Sequence, residues 1–266
     1  MRTTEPGLPA ASPPDPPAKT ITNTATTPFS GSPSSDVITV AITGASGALG
    51  QALLRRWHQQ GARLIAITSR ETPLELLDRA GMPIPHQHMV WQVGEEQALI
   101  AQLKEVDVLV LNHGVNVHQG RSAANTQLSL EVNALSSWRM LELFATQARG
   151  RRAEVWLNTS EAEIQPALSP LYEISKRLLG QLISLRALDL SPSLRIRRLV
   201  LGPFRSALNP IGVMDADFVA GQILMQARFN LGLIIVTPNP LTYALMPLAT
   251  LGRWLYFKAC SRSEPQ

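Results

Sequence analysis

From residue 37 onward, short continuous apolar runs alternate with stretches whose apolar residues recur every three or four positions. The runs are rich in Val, Ile and Leu and predict strands at 37–43, 63–69, 89–93, 107–112, 154–159, 195–201 and 233–237. Helical spacing predicts helices at 49–60, 74–79, 95–104, 128–146, 171–188 and 215–229. Strands that are apolar on both faces and alternate with helices belong to a parallel sheet covered on both sides. With right-handed crossovers, seven of them give an α/β fold, a doubly wound parallel seven-stranded sheet with helices on both faces.

The two ends have a different texture. Residues 1–35 hold eight prolines and twelve Ser or Thr, with Phe29 the only aromatic. Such a segment buries too little apolar surface to offset its ordering entropy and is expected to be a disordered tail. The domain proper is therefore 36–239. Beyond it, 240–266 reads as an apolar helix carrying Tyr243, Trp254, Tyr256 and Phe257, followed by a short tail.

Composition narrows the function classes. The 266 residues are 45% hydrophobic and 17% charged, which suits a globular protein with a sizeable core. The net charge of +4 is modest, and the densest basic group (Arg195, Arg197, Arg198) lies in a strand-like stretch, where solvated charge is expected. No nucleic-acid partner is expected from this pattern. Cys260 is the single cysteine, so no intramolecular disulfide is expected and a cytoplasmic setting follows. No apolar h-region follows the N-terminus, so no secretory signal is expected. The apolar stretch 231–250 is broken by Pro238, Pro240 and Pro247, which argues against a membrane span. The histidines (His58, His86, His88, His113, His118) form no ligand cluster, so no metal is expected. His86 and His88 read as part of a polar loop, and Glu161 and Glu163 as a solvated loop, with a substrate loop as the alternative.

Two segments carry candidate chemistry. Directly after the first strand stands Thr43-Gly44-Ala45-Ser46-Gly47-Ala48-Leu49-Gly50. A glycine-rich turn from strand into helix lets backbone N–H groups approach a pyrophosphate, and the helix N-terminus adds partial positive charge. Gly44, Ser46, Gly47, Ala48, Leu49 and Gly50 are thus candidate dinucleotide-binding residues. In such folds an acidic residue at the end of the second strand selects NAD. Here that strand ends Thr68-Ser69-Arg70, so a hydroxyl and a guanidinium at Ser69 and Arg70 point to the 2′-phosphate of NADP(H) over NAD. The other segment is Tyr172-Glu173-Ile174-Ser175-Lys176. Residues i and i+4 share a helix face, and a nearby Lys⁺ is expected to lower the tyrosine pKa and fit the phenol for proton transfer.

With Asn158-Thr159-Ser160 ending a strand upstream and Asn133 in the helix before it, the chain resembles the short-chain dehydrogenase/reductase family, whose domain is a Rossmann fold. Further matches are Asn112-His113-Gly114 after the fourth strand, and Gly202-Pro203-Phe204-Arg205-Ser206 after the sixth. The resemblance covers about 37–237. It implies that Ser160 orients a substrate carbonyl and Tyr172 exchanges its proton. Lys176 would bind the nicotinamide ribose and tune Tyr172, while Asn133 holds a relay water. Asn112, Gly114, Gly202, Pro203 and Ser206 would line the cofactor cleft. The implied activity is NADP(H)-dependent interconversion of a small-molecule carbonyl and alcohol, in a protein whose long helices pair into a homodimer.

Four features depart from the family pattern. The glycines are spaced at 44, 47 and 50, His113 replaces a small alanine, Leu201 replaces a proline, and Ser160 lies 12 residues before Tyr172 where 13 is usual. Thr159 has the usual offset and is the alternative hydroxyl. His113 reads either as a loop histidine bonded to backbone or as a group crowding the pocket. The stretches 111–116 and 158–163 look like a cyanobacterial group in which such a domain is paired with a sterol-desaturase region. Two alternative functions stand beside the enzyme reading: a non-catalytic NADP-binding sensor or scaffold, and a reductase of a lipid ketone. The second would be peripheral to a membrane, resting on its C-terminal segment beside Arg253, Lys258 and Arg262.

Overall fold

The computed structural model describes residues 24–25, 37–148, 152–190 and 193–263. Seven parallel strands form one sheet: β2 (Thr39–Thr43), β3 (Arg63–Thr68), β4 (Gln87–Val90), β5 (Val108–Leu111), β6 (Ala153–Ser160), β7 (Leu194–Leu201) and β8 (Leu233–Val236). Their order is β4-β3-β2-β5-β6-β7-β8, and a two-residue strand, β1 (Thr24–Ala25), pairs antiparallel with the outer edge of β4. The remainder of the expected tail lies outside the described residues.

All five residues of β2 are buried, with Val40 and Ile42 facing one helix layer and Ala41 the other. This two-sided burial is why the strands read as continuous apolar runs rather than as alternation. One layer contains α1 (Ala48–Gln59) and α6 (Ala216–Arg228), packed on the sheet through Leu49, Leu53, Trp57, Val219 and Ile223. The other contains α4 (Ser136–Gln147) and α5 (Pro170–Arg186), packed through Met140, Phe144, Leu179 and Ile183. A helical segment, α3 (Ala123–Leu130), runs into α4 through a π turn at Glu131–Leu135, while the short α2 (Ile100–Leu103) follows a 3₁₀ turn. A last helix, α7 (Pro240–Cys260), packs on α5 and β8.

Strand order reverses at β2 and β5, and in open α/β sheets the ligand crevice lies outside the carboxyl ends of the strands at such a point. The glycine turn 44–50 and the segment 112–116 form its two sides.

Several local expectations fail for physical reasons. No helix forms at 74–79. Asp78 instead turns the chain, its carboxylate accepting from the Ala80 and Met82 amides, with Gly81 at φ +79°. Leu77 then pairs with Pro83, closing a small bridge. His86 and His88 are buried, not in a polar loop: His88 lies within β4, with Nε2 2.9 Å from the Thr68 hydroxyl. Burial and the neighbouring His86 hold the His88 pKa below the ordinary value. The basic group on β7 is not wholly solvated either. Arg197 pairs bidentately with Glu154, and Arg198 is buried against the Gly180 carbonyl and Ser184 hydroxyl.

Candidate active site

The first strand ends at Thr43, and Gly44 then takes φ +61°, a left-handed conformation that favours glycine. A Cβ there would stand 2.9 Å from the His113 Cα. Gly50, one turn into α1, crosses so close to the loop that a Cβ would lie 2.4 Å from the Gly44 carbonyl oxygen. Gly47 is the N-cap of α1 and supplies no side-chain cap, and Ser46, Gly47 and Ala48 are exposed to the crevice. First-turn N–H groups without a side-chain cap at an open helix N-terminus suit an anionic pyrophosphate. The turn is also tied to the second strand, since the Ala45 amide donates to the Ile67 carbonyl at 3.2 Å. Ser69 and Arg70 follow that strand, both exposed, and Arg70 has no ion pair among the described residues.

On the facing side, Asn112 donates to the Gly44 carbonyl (3.4 Å) and accepts from the Asn158 side-chain amide at 2.8 Å. His113 is held at both ring nitrogens. Its Nδ1 lies 2.8 Å from the Thr43 hydroxyl and its Nε2 2.8 Å from the Ser136 hydroxyl, while Trp91 meets the ring edge-on. Ser136 donates onward to the Val132 carbonyl, so Nε2 carries the proton and Nδ1 accepts from Thr43. The ring is only partly shielded by area, yet both nitrogens are enclosed. Burial and the charge of Lys176 lower its pKa to about 3. His113 is a neutral side-chain bridge from the end of β2 to α4.

The catalytic candidates lie on β6 and α5. Pro170 at the first position of α5 fixes the helix start, and burial of Leu171, Ser175, Leu179 and Ile183 fixes its face. Lys176 is buried and donates from Nζ to the Asn158 carbonyl at 2.9 Å, with Nζ 5.6 Å from the Tyr172 ring centroid. Burial lowers its pKa to about 8, partly opposed by the carboxylate of Glu163. Ser160 ends β6, its hydroxyl donating to the Leu201 carbonyl and accepting from the Ala162 amide. Burial raises the Tyr172 pKa above its ordinary value, with the neighbouring Ser160 hydroxyl opposing that rise. The expected lowering by Lys176 is therefore reversed: the ammonium lies against the ring and is committed to Asn158. The Thr159 hydroxyl likewise donates to a β7 carbonyl, that of Leu199.

Asn133 sits in the π turn, fully buried. Its Oδ1 accepts from the Val115 amide (2.7 Å), and its Nδ2 donates to the Val115 carbonyl and the Ser175 hydroxyl. Its amide thus joins the 113–116 loop to α5. Gly114 leaves room for it, since a Cβ there would be 3.1 Å from Asn133 Oδ1. Gly202 packs against Thr237, Pro203 accepts from Val213 and Met214, and Ser206 turns the segment back through Asn209. These three place a loop above the ends of β7 and β8.

The NAD dependent epimerase/dehydratase family matches residues 40–175, just over half of the chain, and this stretch contains the glycine turn, Asn133, Ser160 and Tyr172. The chain belongs to that family. It is similar to the monoglucosyldiacylglycerol epimerase of Synechocystis sp., with 47% identity over 229 residues, 85% of this chain and 55% of the relative. The chain thus spans about half the length of that relative. In fold it is similar to a short-chain dehydrogenase from Sphingobium yanoikuyae in complex with NADPH (TM-score 0.70, 19% identity, 86% of this chain and 98% of that one). A short chain dehydrogenase from Burkholderia cenocepacia in complex with NADP is likewise similar (TM-score 0.66, 17% identity, 85% and 98%). This epimerase/dehydratase-family chain is accordingly an enzyme of the short-chain dehydrogenase and epimerase superfamily.

Behind the site of this family member lies a buried ionic cluster that sequence reasoning missed. Glu163 is not in a solvated loop. Its carboxylate is fully buried, bonded to Arg253 of α7 and 3.7 Å from Arg198 of β7. Gly180 of α5 makes the space, since a Cβ there would overlap Glu163 Oε2. Glu161 is likewise engaged, accepting from the hydroxyls of Thr237 (2.6 Å) and Thr242 (3.2 Å). The three ionic partners are far apart in sequence and no motif announces them.

Proposed function

We propose that this enzyme uses NADP(H) to oxidise a secondary alcohol and reduce the resulting carbonyl, acting on the sugar headgroup of a glycolipid. The observation that carries the reading is the meeting of Tyr172, Ser160 and Lys176 at the carboxyl end of the sheet, across the crevice from the open N-terminus of α1. A bound nicotinamide dinucleotide would accept the hydride from the alcohol carbon and return it to the carbonyl. Tyr172 takes the hydroxyl proton in the first direction and gives it back in the second. Its raised pKa favours the phenol, the form that protonates the alkoxide in the second direction, so the first direction must draw on the minor phenolate form. Ser160 hydrogen-bonds the same oxygen, Lys176 holds positive charge beside the phenol, and Asn133 fixes the loop that closes this side. The 2′-phosphate falls to Arg70, whose guanidinium is exposed at the end of the second strand.

The lipid-linked sugar comes from the similarity to the Synechocystis epimerase. Epimerisation needs no additional acid or base. The same carbon is oxidised and then reduced from its other face, so the nucleotide is regenerated. The test is to incubate the purified chain with monoglucosyldiacylglycerol in detergent micelles and a trace of NADP⁺, and to resolve the product by chromatography. An epimeric glycolipid formed without net nucleotide consumption is the expected result. Tyr172→Phe should bind NADPH as wild type does and lose about 10²- to 10⁴-fold in turnover; unchanged turnover would overturn the assignment. Arg70→Ala should weaken NADPH by about tenfold and leave NADH unchanged. Equal effects on both nucleotides would remove Arg70 from the site.

A further inference from the structure

The final helix, α7, is attached by a narrow stripe. Only Thr242 and Met246 are buried, with Ala249, Thr250, Arg253 and Phe257 partly covered along the same face. The stripe is pinned at both ends. Gln165 and Asn239 bond at the helix start, where Thr242 also accepts from Gln165, and Arg253 reaches the buried Glu163 lower down. The outward surface carries Leu241, Tyr243, Leu248, Leu251, Trp254 and Leu255, all exposed. Large contiguous apolar faces of this kind mark contact with a protein or a membrane.

Charge decides between those occupants. Residues 218–263 contain no Asp or Glu, and Lys258 and Arg262 are exposed at the end of α7, while Arg253 is spent on the buried Glu163. Lys258 reaches over the Trp254 ring, with its Nζ 4.7 Å from the centroid, which keeps a cation beside an amphipathic aromatic. Trp and Tyr flanked by Lys and Arg prefer the headgroup region of a bilayer. A second copy of the chain would bring these cations toward their equivalents, and no carboxylate on the helix would answer them. No helix among the described residues is long and apolar enough to cross a membrane, so α7 would lie along the surface. The helix also starts at the active site: Glu161, the residue after Ser160, bonds Thr242 and Thr237 at its base.

We propose that α7 docks the enzyme on an anionic lipid bilayer, with its apolar outer face in the headgroup region, and so holds the catalytic crevice at the membrane surface. The proposal deepens the glycolipid reading, but its test does not depend on turnover. The full chain is floated with phosphatidylcholine vesicles, with and without phosphatidylglycerol. Wild type should float with the anionic vesicles, and added salt should weaken its binding. Leu248→Glu with Leu255→Glu should reduce the bound fraction by about tenfold or more, since both side chains are exposed and each charge would have to enter the interface. Thermal melting and NADPH binding of that variant check that its fold is intact. Its activity on micellar glycolipid should be unchanged, while activity on vesicles falls. Wild type that fails to float overturns the docking proposal. So does a concentration-dependent dimer in sedimentation that the double variant dissolves, with no flotation. Flotation with no activity on any glycolipid would leave the docking standing and refute the substrate reading.

Discussion

Acid should destabilise this enzyme through His113 before the carboxylates titrate. The imidazole bridges Thr43 and Ser136 as a neutral group, and its pKa is lowered from 6.5 to about 3 by burial and by Lys176. A depressed folded-state value means that the unfolded chain takes up the proton first. The contribution is fully present above 6.5 and is lost as pH falls through the window down to about 3. Within that window the slope for one proton is about 1.4 kcal/mol per pH unit, so between about pH 7 and about pH 5 the loss is about 2 kcal/mol. The comparison is His113→Ala, which restores the residue typical of short-chain dehydrogenases at this position. Without the imidazole the Thr43 hydroxyl turns its proton to the Val110 carbonyl and Ser136 keeps the Val132 carbonyl, so no hydroxyl is left unpaired. The variant should be less stable than wild type by about 1–3 kcal/mol at neutral pH, through its cavity and lost bonds. Urea unfolding followed by tryptophan fluorescence, repeated across the acid range, gives the difference between the two proteins. That difference should shrink by about 2 kcal/mol on going to about pH 5. A constant difference at every pH would show that His113 titrates normally in the folded protein and would refute the buried-bridge account.

Two further substitutions test the ionic cluster and the glycine turn. Glu163→Gln strips a buried carboxylate from between Arg198 and Arg253 and should cost about 3–5 kcal/mol by urea unfolding. Because Glu163 raises the Lys176 pKa, the alkaline limb of the rate profile, set by Lys176 at about 8, should also move to lower pH in that variant. An unmoved limb would mean that Glu163 acts on the fold alone. Gly50→Ala would drive a methyl to 2.4 Å from the Gly44 carbonyl oxygen, so the turn must shift and nucleotide affinity should fall by about tenfold or more in a fluorescence titration. Wild-type affinity would remove this close approach from the account of binding.

Sequence alone determined the sheet, because strands buried on both faces need long apolar runs, which β5 and β8 supply throughout and β2, β3, β4, β6 and β7 supply in part. The glycine turn at 44–50 and the placing of Tyr172 and Lys176 on one helix were legible as well, since both depend on contacts within a few residues along the chain. Even so, the absence of a helix at 74–79 was not legible: an apolar spacing was present, but the Asp78 side chain and Gly81 favoured a turn. What only the tertiary structure decided are the interactions between segments remote in sequence. His113 becomes a bridge because α4 brings Ser136 to it, and Asn133 is spent on Val115 because the π turn aims it there. Ser160 and Thr159 are adjacent in sequence, and the packing of β6 against β7 gives each hydroxyl its own carbonyl, Leu201 for Ser160 and Leu199 for Thr159. Glu163, Arg198 and Arg253 were ordinary surface charges in the sequence. Folding buries them together, because a charge drawn into the interior must find its counter-charge there, whichever element supplies it.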